Sequence, residues 1–166
     1  MEDKPATPIK VERRMLRERR FPAPLIPVLA SMKVTPWPGG YCLVTLAPGD
    51  RLPVLPEGGR LLASASADQA VSFIVAETDW APLEPTVQGA LVERGFRVLR
   101  VAPIPRETEG PFMAVVGGML ADALVNAMPV WSPGLFDIVV KGTQLRATRE
   151  ALSLLSSRAK GRLRSG

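Results

Sequence analysis

The sequence predicts an α+β fold, and three observations support this class. Its 166 residues, 46% of them hydrophobic, fit a globular body with a real core. From Gly40 onward, short apolar runs are separated by turn residues, which is typical of strands. From Phe96 onward, two segments with helical spacing alternate with three such runs. The resulting order, β-α-β-β-α, is a ferredoxin-like unit that lacks only its last strand.

The strands predicted in the first half are Tyr41 to Ala47, Arg60 to Ser66 and Val71 to Glu77. The sequence Pro48-Gly49-Asp50 ends the first of them, and residues 67–70 form a link too long for a two-residue hairpin. After Trp80, a loop rich in proline leads to a short helix predicted over residues 86–94, which Gly95 would end.

The strands predicted in the second half are Phe96 to Val101, Met128 to Trp131 and Leu135 to Lys141. Between the first two, Thr108 caps a helix so apolar that we expect the sheet and a neighbouring helix or subunit to cover it. A second helix carries four residues on one face: Leu145, Thr148, Leu152 and Leu155. We expect Tyr41 to Ala47 to supply the missing strand of this sheet.

The two ends of the chain differ from its middle. Seven of the 17 prolines precede residue 39, so this region is predicted to be mostly irregular, with FPAPLIPVL as an extended apolar strap. Its exception is a basic helix over Lys10 to Arg20. The predicted organisation is a basic extension (1–38), a truncated half (39–94), a β-α-β-β-α unit (95–157) and a basic tail (158–166).

The composition excludes several kinds of chemistry. The chain has no histidine, and Cys42 is its single cysteine. Ser-His-Asp and Cys-His nucleophilic sites, His-ligated zinc, four-cysteine zinc and internal disulfides are therefore all ruled out. A lone cysteine in an apolar run is typical of a small buried residue in a reducing compartment, so we expect a cytoplasmic protein. The sequence indicates no metal, no cofactor and no enzymatic activity.

The net charge of +5 is unevenly distributed. Residues 1–37 carry eight Lys or Arg against four Asp or Glu, and residues 141–166 carry seven against one. Residues 38–140 carry six against eleven, a net charge of −5. An acidic body thus has two basic ends. The most apolar window, Pro111 to Ala121, is too short to span a bilayer, so no membrane partner is predicted.

Three segments carry a resemblance to a known family: YCLVTLAPGDRLPVLPEGGRLLASASADQAVSFIVAE, VERGFRVLRVAPIP and MLADALVNAMPVW…FDIVVKGTQLRATREAL. The SADQA link and the strand GFRVLRV are their most specific parts. Over about residues 39–156 the chain resembles the small tandem ACT-domain proteins related to the CASTOR arginine sensors. The resemblance implies two ACT-like βαββαβ units that share strands, no catalysis, and an amino acid bound between ACT units.

The resemblance also implies site residues. The family's ligand loop, Gly-Pro-Leu-Asp-Phe-Ser-Leu-Thr-Gly, aligns without gaps so that Arg106 stands at its Asp, Thr108 at its Ser and Gly110 at its Thr. Thr108 alone keeps a hydroxyl group. In a second region of the family's site, Asp137 is the one carboxylate that remains.

Physical chemistry gives the same loop two interpretations. A helix that begins near Glu109 offers free backbone N–H groups to a ligand carboxylate, while Glu107 and Glu109 attract an ammonium or guanidinium group. Alternatively, Thr108 is only an N-cap and the glutamates favour the helix dipole. Asp137 is either an outward-facing strand residue or the remaining ligand carboxylate.

Two functions follow from these observations. The first is a non-catalytic regulatory protein that binds an amino acid and signals through protein contacts, as a homo-oligomer or with a partner, using the apolar helix at 112–127. The alternative is an ACT-like scaffold without a ligand. Its basic arms would dock it to an acidic protein or to nucleic acid, and the partner-binding candidates are Arg13, Arg14, Arg17, Arg19 and Arg20.

Overall fold

The computed structural model describes residues 21–67 and 70–165. The helices in these ranges are α1 (Leu25–Ser31), α2 (Glu77–Trp80), α3 (Glu109–Asp122) and α4 (Leu145–Ser165). The strands are β1 (Lys33–Pro36), β2 (Tyr41–Thr45), β3 (Leu61–Ala67), β4 (Ala70–Ala76), β5 (Leu91–Ala102), β6 (Ala127–Ser132) and β7 (Leu135–Lys141). Short 3-10 turns lie at Glu84–Thr86, Arg106–Thr108 and Gly142–Gln144. All six predicted strands are present, with small differences at most of their ends.

These strands form one antiparallel sheet with the main order β3-β4-β2-β5-β7-β6. Strand β5 has two partners along one edge. Its first half pairs with β2, where Tyr41 is opposite Phe96, and its second half pairs with β1, where Val34 is opposite Val101. Its other edge pairs with β7. Strand β5 therefore belongs to a first unit with β2, β3 and β4, and to a second unit with β1, β6 and β7.

A bulge lies where β5 passes from the first unit to the second. The register between β2 and β5 shifts between Tyr41 and Leu43, and Gly95 lies on the β5 side of this shift with φ of +82°. Only glycine adopts such a φ without strain. An extra residue on one strand bends that strand and increases its twist.

The second unit is completed by a strand that the sequence did not reveal. Strands β5, β6 and β7 with helices α3 and α4 form the predicted β-α-β-β-α order, and β1 supplies the fourth strand beside the second half of β5. The expectation that Tyr41 to Ala47 fills this place is wrong, because β2 pairs with β5 only from Leu91 to Phe96. Strand β1 has four residues and ends in Pro36, so it carries little strand signal.

Two further predictions are corrected. The expected strap at residues 21–29 contains helix α1, which begins at Leu25 and holds Pro27 in its first turn, where a helix needs no N–H donor. The expected helix at residues 86–94 is a 3-10 turn followed by the start of β5 at Leu91. Gly95, which was predicted to end that helix, lies instead inside β5 at the bulge.

The main core lies between one face of the sheet and helices α1, α3 and α4. Phe112 of α3 meets Phe136 of β7 edge to face, with ring centroids 5.7 Å apart. Of the four residues predicted on one face of α4, Thr148, Leu152 and Leu155 are buried and Leu145 is half-buried. The helix then continues through the segment predicted as a basic tail and ends at Ser165. Helix α1 packs against it.

The first unit has a reduced helical layer. Phe73 and Trp80 form an edge-to-face pair with centroids 5.6 Å apart, and Cys42 lies in the same buried cluster. In place of two full helices, this cluster is covered by the four-residue α2 and by loop residues that include Leu55 and Val87. The first unit is therefore the one with the smaller helical layer.

Candidate ligand site

The predicted ligand loop follows β5 and leads into α3. The Ile104 N–H donates to the Gly134 carbonyl oxygen at 3.1 Å, which ties the loop to the turn between β6 and β7. Thr108 is buried, and its hydroxyl donates to the Pro105 carbonyl oxygen at 2.8 Å. Thr108 occupies the N-cap position of α3 without a capping hydrogen bond from its side chain, so the predicted role of its hydroxyl as a cap is wrong.

Glu109 and Gly110 are the first two residues of α3, and the Glu109 N–H donates to the Arg106 carbonyl oxygen of the preceding 3-10 turn. Glu109 is half-buried, and its Oε1 atom is buried with no hydrogen-bond partner among the described residues. Gly110 is exposed, and a Cβ placed there would meet no atom within 4 Å. The start of α3 thus combines an unpaired carboxylate oxygen with open space.

Asp137 lies in a different environment. It is buried in β7 between Phe136 and Ile138, which belong to the main core, so its side chain points to the opposite face of the sheet. We call this helix-free side the open face. There, Arg100 donates from Nε and Nη2 to the two carboxylate oxygens at 2.8 and 2.7 Å. The structure therefore does not bring Asp137 together with Thr108, Glu109 and Gly110.

The ion pair on the open face is embedded in aromatic side chains. The Arg100 guanidinium lies 4.3 Å from the centroid of the Trp37 ring. Its hydrogen bond with Asp137 is the main cause that raises the pKa of Arg100 above its ordinary value. Asp137 is thus neither an exposed strand residue nor a free carboxylate.

Sequence reasoning missed the residues around this ion pair. The Trp37 ring lies 6.3 Å from that of Tyr41, which is fully buried. The Tyr41 hydroxyl has no hydrogen-bond partner in the described ranges, and burial raises its pKa. On the other side, Arg60 lies 5.9 Å from the Tyr41 ring. The alternation in FRVLRV could have placed Arg100 on one strand face, but nothing local links it to Trp37 or Asp137.

Hydrogen bonds from Glu77 tie the end of β4 to the bulge in β5 and to the residue before β2. The Glu77 Oε1 atom accepts a hydrogen bond from the Gly95 N–H at 3.0 Å, and the Glu77 N–H donates to the Gly40 carbonyl at 3.0 Å. A Cβ on Gly40 would lie 2.7 Å from Glu77 Oε2 and 2.9 Å from Arg97 Nη1. Gly40 is therefore required for the two side chains to approach the backbone this closely.

The remaining predicted sites are simply located. The partner-binding candidates Arg13, Arg14, Arg17, Arg19 and Arg20 lie outside the described residues. Within residues 21–67 and 70–165, no group of three or more Cys, Asp or Glu is placed to hold a metal ion. In the same ranges no helix combines the length and the hydropathy needed to cross a bilayer.

Known proteins match this chain in fold only. No protein-family model matches it, and no curated protein matches it in sequence. Protein Atu0741 from Agobacterium tumefaciens matches with a TM-score of 0.61 and 16% identity, over 75% of this chain and 89% of that one. The regulatory subunit of aspartate kinase from Thermus thermophilus matches with a TM-score of 0.54 and 13% identity, over 75% and 95%.

A larger protein contains the same fold as one part. The aspartate kinase from Clostridium acetobutylicum matches with a TM-score of 0.57 and 9% identity, over 76% of this chain but only 34% of that one. At identities this low the likeness shows the fold. That fold is the ferredoxin-like, ACT-like α+β arrangement that the sequence predicted. The narrower relation to the CASTOR arginine sensors stays a prediction.

Proposed function

We propose that this protein is a non-catalytic regulatory protein that binds an amino acid or a similar small zwitterion. One observation carries the proposal: two ACT-like units share one sheet, in a fold that matches regulatory subunits of aspartate kinase over nearly their whole length. Those proteins are regulatory by name, and the present chain has the same architecture with its first unit reduced.

The start of α3 is the ligand site that we propose. An α-amino acid carries a carboxylate and an ammonium group on neighbouring atoms. The positive end of the helix dipole suits the carboxylate. The unpaired Oε1 of Glu109 suits the ammonium group. Asp137 is left out of this site because Arg100 occupies both of its oxygens.

The outer face of α3 is the surface through which we propose that binding is signalled. Every exposed position from Gly110 to Ala121 is apolar or glycine, and Met113 is 39% exposed. Next to this helix, Leu124 is 60% exposed. A helix face without charge favours contact with a second copy of this chain or with another protein. A ligand at the first turn of α3 would directly touch the element that makes this contact.

A thermal-shift screen of the twenty amino acids tests the ligand site. A ligand present at about 100 times its Kd stabilises the folded state by about 2.7 kcal/mol. For a chain of this size that corresponds to a rise in Tm of roughly 5–10 °C. We expect a selective rise with one or a few amino acids.

Two variants locate the binding. Glu109→Gln removes the charge of the unpaired carboxylate and should abolish the rise. Glu107→Gln removes a neighbouring charge that is exposed, and should preserve it. A screen in which no amino acid raises Tm would contradict the proposal. If both variants lost the rise in Tm equally, the ligand would not bind at Glu109.

An ACT-like interaction subunit without a ligand is the second candidate. It is favoured by the hydrogen bonds that already occupy two of the predicted ligand groups, the Thr108 hydroxyl and the Asp137 carboxylate. A flat amino-acid screen together with stable capture of a protein partner would support this candidate over the first.

A further inference from the structure

The last turns of α4 carry a concentration of positive charge. From Ala151 to Ser165 the helix has no acidic residue and four basic ones: Arg158, Lys160, Arg162 and Arg164. The apolar side of this segment is already used, because Leu152, Leu155 and Ala159 are buried in the main core. Lys160, Arg162 and Arg164 are therefore held on the solvent side, where they are exposed.

The N-terminal basic segment joins the described chain at this same place. Phe21 is buried, and its ring lies 5.2 Å from the guanidinium carbons of both Arg158 and Arg162. Residues 10–20, which directly precede Phe21, contain six Lys or Arg and two Glu. The chain that follows this basic segment thus meets the C-terminal end of α4 at Phe21.

The charge at this meeting point is not neutralised within the described residues. The Nη1 atom of Arg158 is buried and has no hydrogen-bond partner there. The pKa of Arg158 is lowered, first by burial and second by repulsion from the nearby Arg162. The basic side chains near the C-terminal end of α4 therefore repel one another. A bound anion would relieve this repulsion.

The basic surface extends toward the start of α4. Arg149, Ser153, Ser157, Lys160 and Arg164 recur at helical spacing and are all exposed. A groove of about 730 Å³ lies along the first part of the same helix, lined in part by Arg149, Ser153 and Ser157, and also by Arg146, which is paired with Glu150. At 1.5 Å per residue the helix is about 30 Å long. Small residues between the charges leave room for a partner to approach closely.

The chemistry of this surface fits phosphate better than protein or lipid. Protein interfaces have an apolar centre, whereas the exposed side of α4 offers only Leu163 as a large apolar side chain. A membrane surface would require an apolar helix face to insert, and that face of α4 is buried in the core. Guanidinium groups, by contrast, match phosphate oxygens in charge and geometry.

We propose that the exposed side of α4 forms a surface that binds the phosphate backbone of nucleic acid without sequence preference. Backbone contacts position a protein on nucleic acid but carry no sequence information. This surface is separate from the proposed ligand site at the start of α3, so either proposal can fail without the other.

Fluorescence anisotropy with the full chain tests this surface. The probes are a labelled 20-base-pair DNA duplex and a labelled single-stranded RNA of mixed sequence, each titrated between 50 and 200 mM salt. The binding constant should fall steeply with salt, because each phosphate contact contributes a slope of about −0.9 to log K against log salt for duplex DNA. No binding of either probe at 50 mM salt would overturn the proposal.

Charge-matched variants separate a defined surface from general basicity. Lys160→Gln with Arg164→Gln removes two exposed charges that do not contact Phe21. Affinity should fall about tenfold or more, and the salt slope should flatten by about 2. Arg51→Gln with Arg106→Gln removes two exposed charges elsewhere and should leave affinity within about threefold. Equal losses in the two double variants would overturn the assignment to α4.

One further measurement defines the partner of the surface. Competition with polyglutamate should leave nucleic-acid binding largely intact. Displacement by polyglutamate at lower concentration than by unlabelled DNA would overturn the proposal in favour of an acidic protein partner.

Discussion

Replacing Asp137 by Asn tests the ion pair on the open face. The substitution keeps the shape of the side chain but removes its charge. Arg100 donates from Nε and Nη2 to the two carboxylate oxygens of Asp137. In the variant one of these acceptors becomes an NH₂ group, which faces a donor. The guanidinium then keeps at most one of its two hydrogen bonds.

The expected loss follows from the burial of the two groups. Removing one partner of a buried ion pair costs about 3–5 kcal/mol. The Asp137 side chain is 4% exposed but that of Arg100 is 29% exposed, so water can solvate part of the unpaired guanidinium. We therefore expect a loss of about 2–3 kcal/mol. For a chain of this length, that corresponds to a fall in Tm of roughly 5–10 °C.

The assay is thermal unfolding followed by circular dichroism, with Glu150→Gln as the control. Glu150 accepts from Arg146 Nε at the same distance, 2.8 Å, but both side chains are exposed. An exposed pair of this kind is worth about 0.3–0.5 kcal/mol, so its loss should lower Tm by only 1–2 °C. If Asp137→Asn unfolds within 2 °C of the control, the reasoning from burial is refuted.

Three other substitutions are informative. Gly40→Ala should lower the urea midpoint by an amount equivalent to about 1 kcal/mol, because its Cβ would displace the ends of the Glu77 and Arg97 side chains and so break the hydrogen bond from Gly95 to Glu77, whereas Gly161→Ala, in open space on α4, should raise it by about 1 kcal/mol; a fall for both would refute this reasoning. Burial raises the pKa of the Cys42 thiol to about 11, so the folded protein should resist thiol reagents at pH 8. Because the unfolded thiol ionises near its ordinary pKa of 9, the stability contributed by the neutral thiol is complete below pH 9 and is lost as the pH rises toward 11. Cys42→Ala should flatten that decline in chemical-unfolding curves, and an identical decline would argue against Cys42 as its source.

The part of the fold that sequence predicts well is the part with strong local patterns. Strand β7 matches its prediction residue for residue, because a turn at Ser132-Pro133-Gly134 and a continuous apolar run define it. Strand β1 and helix α1 were missed because prolines dominate their local signal. Residues 33–36 form strand β1 only because they can pair with a free edge of β5. Helix α1 is buried only because α4 lies beside it. Such nonlocal contacts override local propensity.

The same distinction separates the site residues. The position of Thr108, Glu109 and Gly110 at the start of a helix follows from local spacing, and the structure has that helix start. The partner of Asp137 could not be predicted, because it depends on the register that sets Arg100 directly opposite Asp137. A shift of one residue would have placed Asp137 on the helical side of the sheet. The contact of Phe21 with Arg158 and Arg162 is likewise a product of tertiary packing.

Strand β5 makes the two units mechanically inseparable. It contributes residues Leu91 to Phe96 to one unit and Leu99 to Ala102 to the other, without a linker between them. If one unit unfolded or rotated alone, it would break hydrogen bonds of β5, and the other unit also depends on β5. The chain should therefore unfold in a single transition. The effect of a ligand bound to one unit would therefore pass to the other unit as strain along β5, and not as a hinge motion between the units.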